Sequence, residues 1–152
     1  MAEGTFRAWS ANDPVLAAAH ARCAQTIDEF IARLEAREDE RFLAKLSFRD
    51  PIESERTGRD ELFYLWLTDV HYHREENLLS GVFFELPECL EGFHALHERI
   101  GFDAEDVFDW MVVDAEGDLR GGFSLRATRA SLATEAERRR YDADIGVRRY
   151  LD

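Results

Sequence analysis

The sequence predicts an α+β fold in which a long N-terminal helix packs on a curved antiparallel sheet of four to five strands, with a short C-terminal helix. Three observations predict it. Apolar residues recur at helical spacing only near the N-terminus, over about Asp13 to Arg37. Strand-like runs then fill the middle of the chain, separated by Gly, Pro and Asp. Finally, a capping signature at Thr134 opens a last polar segment. A helix, then strands, then a helix, without regular strand–helix alternation, is the α+β pattern. With 152 residues the chain is the size of one ordinary domain and can bury a core without cross-links, so 1–152 reads as a single domain.

Taken in order, residues 1–12 carry little pattern beyond Phe6 and Trp9, which are suited to packing an arm on the body. Asp13-Pro14 is a helix start, because Asp accepts from the free N–H groups and Pro is pre-set for the first helical position. The stripe Leu16, His20, Cys23, Ile27, Phe30 and Leu34, widened by Ile31, makes one buried face. His20 on that face is expected as a hydrogen-bonded residue at the core edge and Cys23 as a buried free thiol. Arg41 to Arg49 switches to period two, with Phe42, Ala44, Leu46 and Phe48 on one side. Asp50-Pro51 stops that strand, and a polar loop is expected through Gly58 and Asp60. Glu61 to Val70 is apolar on both sides and reads as a central strand, with Trp66 in the core; His71 to Asn77 reads as a polar connection.

Leu78 to Phe84 is the third strand. A short helix around Leu90 to His97 is expected next, with Gly101 as its cap. Asp109 to Val113 and Leu119 to Thr128, joined by Asp114-Ala115-Glu116-Gly117-Asp118, read as a β-hairpin with a bulge at Gly121-Gly122. Thr134-Glu135-Ala136-Glu137 has capping-box spacing and starts a helix to about Asp144, with Val147 to Asp152 as a docked tail.

Composition bounds the function. At 45% hydrophobic residues the chain is too apolar for disorder, and no apolar run approaches the roughly 18 to 20 residues that span a bilayer. The opening MAEGTFRAWS has no apolar signal core, and Cys23 and Cys89 form no metal spacing, so a reducing cytoplasm is expected. The net charge of −13 is uneven: Glu85 to Asp118 holds 11 acidic side chains against the single Arg99. Such a field repels nucleic acid and anionic lipid and steers a basic partner.

The segments Trp66-Leu67-Thr68-Asp69-Val70, Gly81, Asp109-Trp110-Met111 and Gly121-Gly122-Phe123-Ser124-Leu125-Arg126 carry a resemblance. In that order they resemble the YegJ-like domain, a bacterial family of unknown function whose pattern runs W-V-x-D-V, G-x-x-x-N-E-P, D-W-M and G-G-Y-T-L-R. The resemblance covers roughly residues 13–130 and leaves 131–152 as a helical extension. It implies the fold and no activity. Glu85-Leu86-Pro87 stands where the family has N-E-P, and Phe63-Tyr64 where it often has an acidic residue and a histidine.

Chemistry-bearing motifs are few. His71-Tyr72-His73 shares one face if extended, and His94 and His97 share one if helical. With Glu75, Glu76 or Glu98 nearby they offer a two-plus-two metal set. Neither an H-E-x-x-H nor a G-x-S-x-G is present, and with Gly121-Gly122 read as lying within a strand no glycine cluster is expected to open a helix as a phosphate cradle. The expectation is therefore no catalytic residues, no metal and no cofactor. The leading reading is a non-catalytic protein-binding module, immunity- or inhibitor-like toward a basic partner. Its surface would comprise Glu85, Glu88, Glu91, Asp103, Glu105, Asp106, Asp109 and Trp110. For the last two a structural role is favoured, with Asp109 capping a turn and Trp110 under the N-terminal helix; Arg126 is within reach of Asp109 across the hairpin. The competing class is a metal-dependent or ligand-binding enzyme using the histidine pairs. A third is a module that forms a homodimer through a sheet edge.

Overall fold

The structure, a computed structural model, describes residues 14–37 and 40–151. The expected cap Asp13 and the arm residues Phe6 and Trp9 lie outside the described residues. Helix α1 (Pro14–Ala36) leads into β1 (Glu40–Arg49), α2 (Pro51–Thr57), β2 (Leu62–His73), β3 (Leu78–Phe83) and β4 (Arg99–Phe102). Then follow β5 (Val107–Asp114), β6 (Asp118–Gly121), α3 (Phe123–Ala130), α4 (Glu135–Ile145) and β7 (Arg149–Tyr150). The α+β class is as the sequence predicts, but the sheet has seven strands, in the order β4-β3-β2-β1-β5-β6-β7. All pairs are antiparallel except β6 with β7.

Two alternating faces of β1 sort the core. Phe42, Ala44 and Leu46 join Ala19, Cys23, Phe30 and Leu34 of α1, together with Leu65, Leu67, Val70 and Val112. Leu43 belongs to the opposite face, with Trp66, Met111, Val113, Leu119, Leu125 and Val147. Cys23 is a buried free thiol, pushed up to about 12 chiefly by burial. His20 sits at the core edge as expected, stacked on Phe108. The sheet is strongly curved for a reason of reach. In a flat sheet β4 and β5 would lie four strand spacings apart, about 19 Å. The connecting link is a single 3₁₀ turn, Ala104–Asp106, with one residue ahead of it, which reaches only about 13 Å. The sheet therefore curls around α1, and Phe102 of β4 enters the same core as Val107 of β5.

Four sequence expectations change. The loop after Asp50 is helix α2: Asp50 accepts from the N–H groups of Ile52 and Glu53 at 3.0 and 3.1 Å, and Gly58 closes it in the left-handed region. This is the Asp-Pro start that the sequence also offers at Asp13-Pro14. Strand β2 continues through His73, and the turn is confined to residues 74–77. No helix spans Leu90 to His97; one 3₁₀ turn at Glu88–Leu90 gives way to turns, His97 takes φ +69°, and Gly101 lies within β4.

The last change is the hairpin. Its return strand ends at Gly121, and the alternation of Phe123, Leu125 and Ala127 is helical. Gly121 and Gly122 are both left-handed, at φ +73° and +63°, which turns the chain off the sheet. A Cβ on Gly121 would sit 2.4 Å from the Trp110 carbonyl oxygen, so only glycine fits. At the C-terminus, Thr134 accepts from the Glu137 N–H at 3.1 Å and starts α4 as read. The tail docks as β7, and the Leu151 N–H reaches the Leu119 carbonyl at 2.8 Å.

Candidate functional site

Two of the residues read as site candidates are interior. Asp109 and Trp110 are 0% and 1% exposed, so neither belongs to a docking surface. The structural role favoured for Trp110 holds: it stacks on Phe30 at 5.3 Å, and its Nε1–H donates to Thr26 Oγ1 at 3.0 Å, under α1. Asp109 caps the following helix rather than a preceding turn. Its Oδ1 accepts from the N–H groups of Trp110 and Phe123, at 2.8 and 3.1 Å. Its Oδ2 accepts from the Ser124 N–H and hydroxyl, at 2.8 and 2.6 Å. Because the N-cap of α3 is Gly122, which has no side chain to cap with, Asp109 supplies that function from the neighbouring strand.

Arg126 does not pair with Asp109. It donates to the carbonyl oxygens of Gly121, Leu119 and Leu151 and ties α3 to the tail. The cation opposite Asp109 is Lys45, its register partner on β1. Lys45 Nζ donates to Ser124 Oγ at 3.2 Å and lies 5.5 Å from the Trp66 ring centroid. Burial drives the Lys45 ammonium down to about 8, with Asp109 pulling the other way. Burial likewise raises the Asp109 carboxyl, against Ser124, Lys45 and Phe123, which lower it. In the sequence Lys45 looks like the polar member of an alternating strand. The signal that would have found it is that its side of β1 also carries Leu43, a buried core residue.

The acidic segment is different in kind. Glu88, Glu91, Asp103, Glu105 and Asp106 are exposed and Glu85 is half-buried. Asp103 and Asp106 cap each other's backbone across the link from β4 to β5. Glu105 and Asp106 line a cleft of about 410 Å³ with His20, Phe48, Tyr64, Phe102 and Phe108. A second cleft, of about 300 Å³, is lined by Phe48, Arg49, Pro51, Leu90, Phe93 and His94. Phe48 is common to both, so they adjoin. Phe93 is 68% exposed and Leu96 50%, an apolar display that a helix over Leu90 to His97 does not predict.

The histidine pairs do not converge. His94 Nδ1 lies 2.8 Å from Glu98 Oε2 and its ring is 4.9 Å from that of Phe83. His71 and His73, by contrast, contact Asp69 and Ser80 on β2 and β3. Among the described residues, Asp114, Glu116 and Asp118 form the one set of three such side chains with ligand atoms within 4.8 Å of each other. Their geometry is that of the β5–β6 turn: Asp114 Oδ1 accepts from the Glu116 and Asp118 N–H groups, and Asp118 Oδ2 accepts from Arg149 at 2.7 Å.

Compared with known proteins, the chain matches a family described as uncharacterized proteins conserved in bacteria (DUF2314), over residues 13–148. The chain belongs to this family. In this DUF2314 protein the match takes in α4 and strands β1 to β6. No curated protein and no solved structure matches. The D-W-M and G-G-F-S-L-R segments that carry the resemblance now have a physical account here. They form the two sides of the Asp109 cap, and Met111 pairs directly with Gly121. Among the described residues no helix is long and apolar enough to cross a membrane.

Proposed function

We propose that this DUF2314 protein is a protein-binding module that docks a basic partner on the surface running from Glu85 to Asp106. The observation that supports it is the apolar display of Phe93 and Leu96 within an acidic segment. An aromatic anchor on a surface where one charge predominates is the composition of a docking patch: the apolar centre supplies binding energy and the surrounding charge selects a partner of opposite sign. Glu105 and Asp106 line one cleft, Glu88 and Glu91 are exposed on either side of Leu90 in the chain, and the clefts meeting at Phe48 take the partner's side chains. Asp109 and Trp110 act in the interior, by holding β5, α3 and α1 together. An immunity- or inhibitor-like role toward a basic protein is the concrete form of this reading.

The test is affinity capture at low salt with the wild-type protein and two variants. One carries Phe93→Ser and Leu96→Ser; the other carries Glu88→Lys, Glu91→Lys and Glu105→Lys. A partner, once identified and purified, is expected to bind the wild type and to lose about tenfold or more in affinity with either variant. Equal binding by all three proteins would defeat the reading.

A further inference from the structure

We infer that the network around Asp69 on β2 is a binding site for a small oxyanion, a phosphate or carboxylate group, held by Arg37, His71 and Arg99. Of the site's three residues only Arg99 belongs to the segment from Glu85 to Asp106; Arg37 and His71 come from the end of α1 and from β2. It is built on a bulge: the β2–β3 register shifts between Thr68 and His71, and Asp69 takes φ +49°, a left-handed conformation that a non-glycine residue adopts at a cost. Bulges re-aim side chains, and here the chain presents a carboxylate between two arginines.

Both guanidinium groups are pinned to the bulge backbone. Arg37 Nη1 donates to the Val70 carbonyl at 2.7 Å, and Arg99 Nη1 donates to the Asp69 carbonyl at 3.0 Å. The Ser80 hydroxyl braces Arg99, accepting from Nη1 at 2.9 Å, and lies 2.8 Å from His73 Nε2. The two forks are therefore positioned before any ligand arrives, which lowers the ordering cost of binding.

Their carboxylate partner is not enough for both. Arg99 Nη2 takes Asp69 Oδ2 at 2.6 Å, but Arg37 Nη2 reaches Oδ1 only at 3.4 Å. Among the described residues, two permanent positive charges thus share one negative charge. His71 sharpens the mismatch. Its Nε2 lies 3.1 Å from Arg37 Nη2, which can only donate, and 3.2 Å from Asp69 Oδ1, which can only accept when ionised. An imidazole nitrogen is a donor or an acceptor at any moment, so one of these two contacts is always unmet. An oxyanion resolves both problems: His71 donates from Nε2 to Asp69, and Arg37 turns its free N–H to the ligand, which supplies the missing negative charge. Side chains of Arg37, Asp69, His71 and Arg99 are 37% to 55% exposed, so a ligand reaches them from solvent. The planar fork of arginine matches phosphate and carboxylate oxygens, which sets the ligand class.

The experiment is a titration of the isotope-labelled full chain with inorganic phosphate, and separately with acetate, at constant ionic strength, followed by amide shifts at residues 69–73. Saturable shifts are expected, weakened about tenfold or more by Arg37→Gln, the loss of one charged hydrogen bond. The His71→Gln variant is expected to weaken binding as well. Arg74→Gln, which removes a neighbouring exposed arginine facing Glu35, should bind as the wild type does. Tighter binding of phosphate identifies a phosphoryl ligand, and tighter binding of acetate a carboxylate; either supports the site. Linear, non-saturating drift with both ions overturns it, as does unchanged affinity in both folded variants, Arg37→Gln and His71→Gln.

Discussion

Asp109 and Asp69 are both carboxylates at irregular positions of the sheet, and both gather several donors, yet one is fully buried and the other has a side chain 55% exposed. The donors differ accordingly. Three of the four hydrogen bonds to Asp109 come from backbone N–H groups fixed by β5 and the first turn of α3. Those to Asp69 come from the ends of long side chains, Arg37 and Arg99, with His71 beside them. A dry carboxylate surrounded by fixed donors has no exchangeable partner, so it serves structure. A wet one held by solvent-exposed cations can trade partners with a ligand at small cost. Burial, more than the number of contacts, separates a structural cluster from an available one.

The sharpest way to break this contrast is Asp109→Ala, which leaves Lys45 as an uncompensated buried cation and α3 without its cap. The loss should be about 3–5 kcal/mol in urea unfolding, with Asp109→Asn milder because it keeps part of the cap. Next comes Gly121→Ala, where the new Cβ meets the Trp110 carbonyl at 2.4 Å in a left-handed backbone. A loss of about 2–4 kcal/mol is expected in the same assay.

Lys45→Met probes the charge inside the cluster. Because the folded-state value of Lys45 is lowered to about 8, the unfolded chain holds a proton in mildly alkaline solution that the folded chain does not. Stability should therefore rise with pH in that window, by about 2 kcal/mol from about pH 7.5 to about pH 9.5. Lys45→Met should remove this rise, and denaturation midpoints of the two proteins across that range check it. The smallest effect is expected at the wet carboxylate: Asp69→Asn should change stability by less than about 1 kcal/mol, since exposed ion pairs contribute little. A loss as large as that of Asp109→Ala would erase the distinction between the two sites.

Much of the fold was legible because hydrophobic spacing reports burial directly. The α1 stripe and the alternation of β1 needed no tertiary information. The core placement of Trp66 and the Thr134 helix start were equally local. What escaped depends on contacts far apart in the chain. The segment Phe123 to Thr128 alternates like a strand, and only Asp109 and the left-handed Gly121-Gly122 pair make it a helix. Helix α2 was legible in principle from Asp50-Pro51, the signal used at Asp13-Pro14, but it was read as a strand stop alone. Of the acidic residues read as a surface, Glu88, Glu91, Asp103, Glu105 and Asp106 are exposed, whereas Asp109 is interior. Charge density cannot tell these apart. The Arg37–Asp69–Arg99 group was invisible because its members are separated by some thirty positions each and meet only through the β2 bulge.

The borrowed cap of α3 also bears on how the chain acquires its structure. A helix of eight residues is too short to persist in water on its own, and this one draws its N-terminal cap from a strand 14 to 15 positions earlier. Helix α3 therefore has no independent local life: it can form only once β5 is in place. The slowest-exchanging amides of α3 and β5 should open together, as one cooperative unit, even though a turn and a strand separate them in the chain.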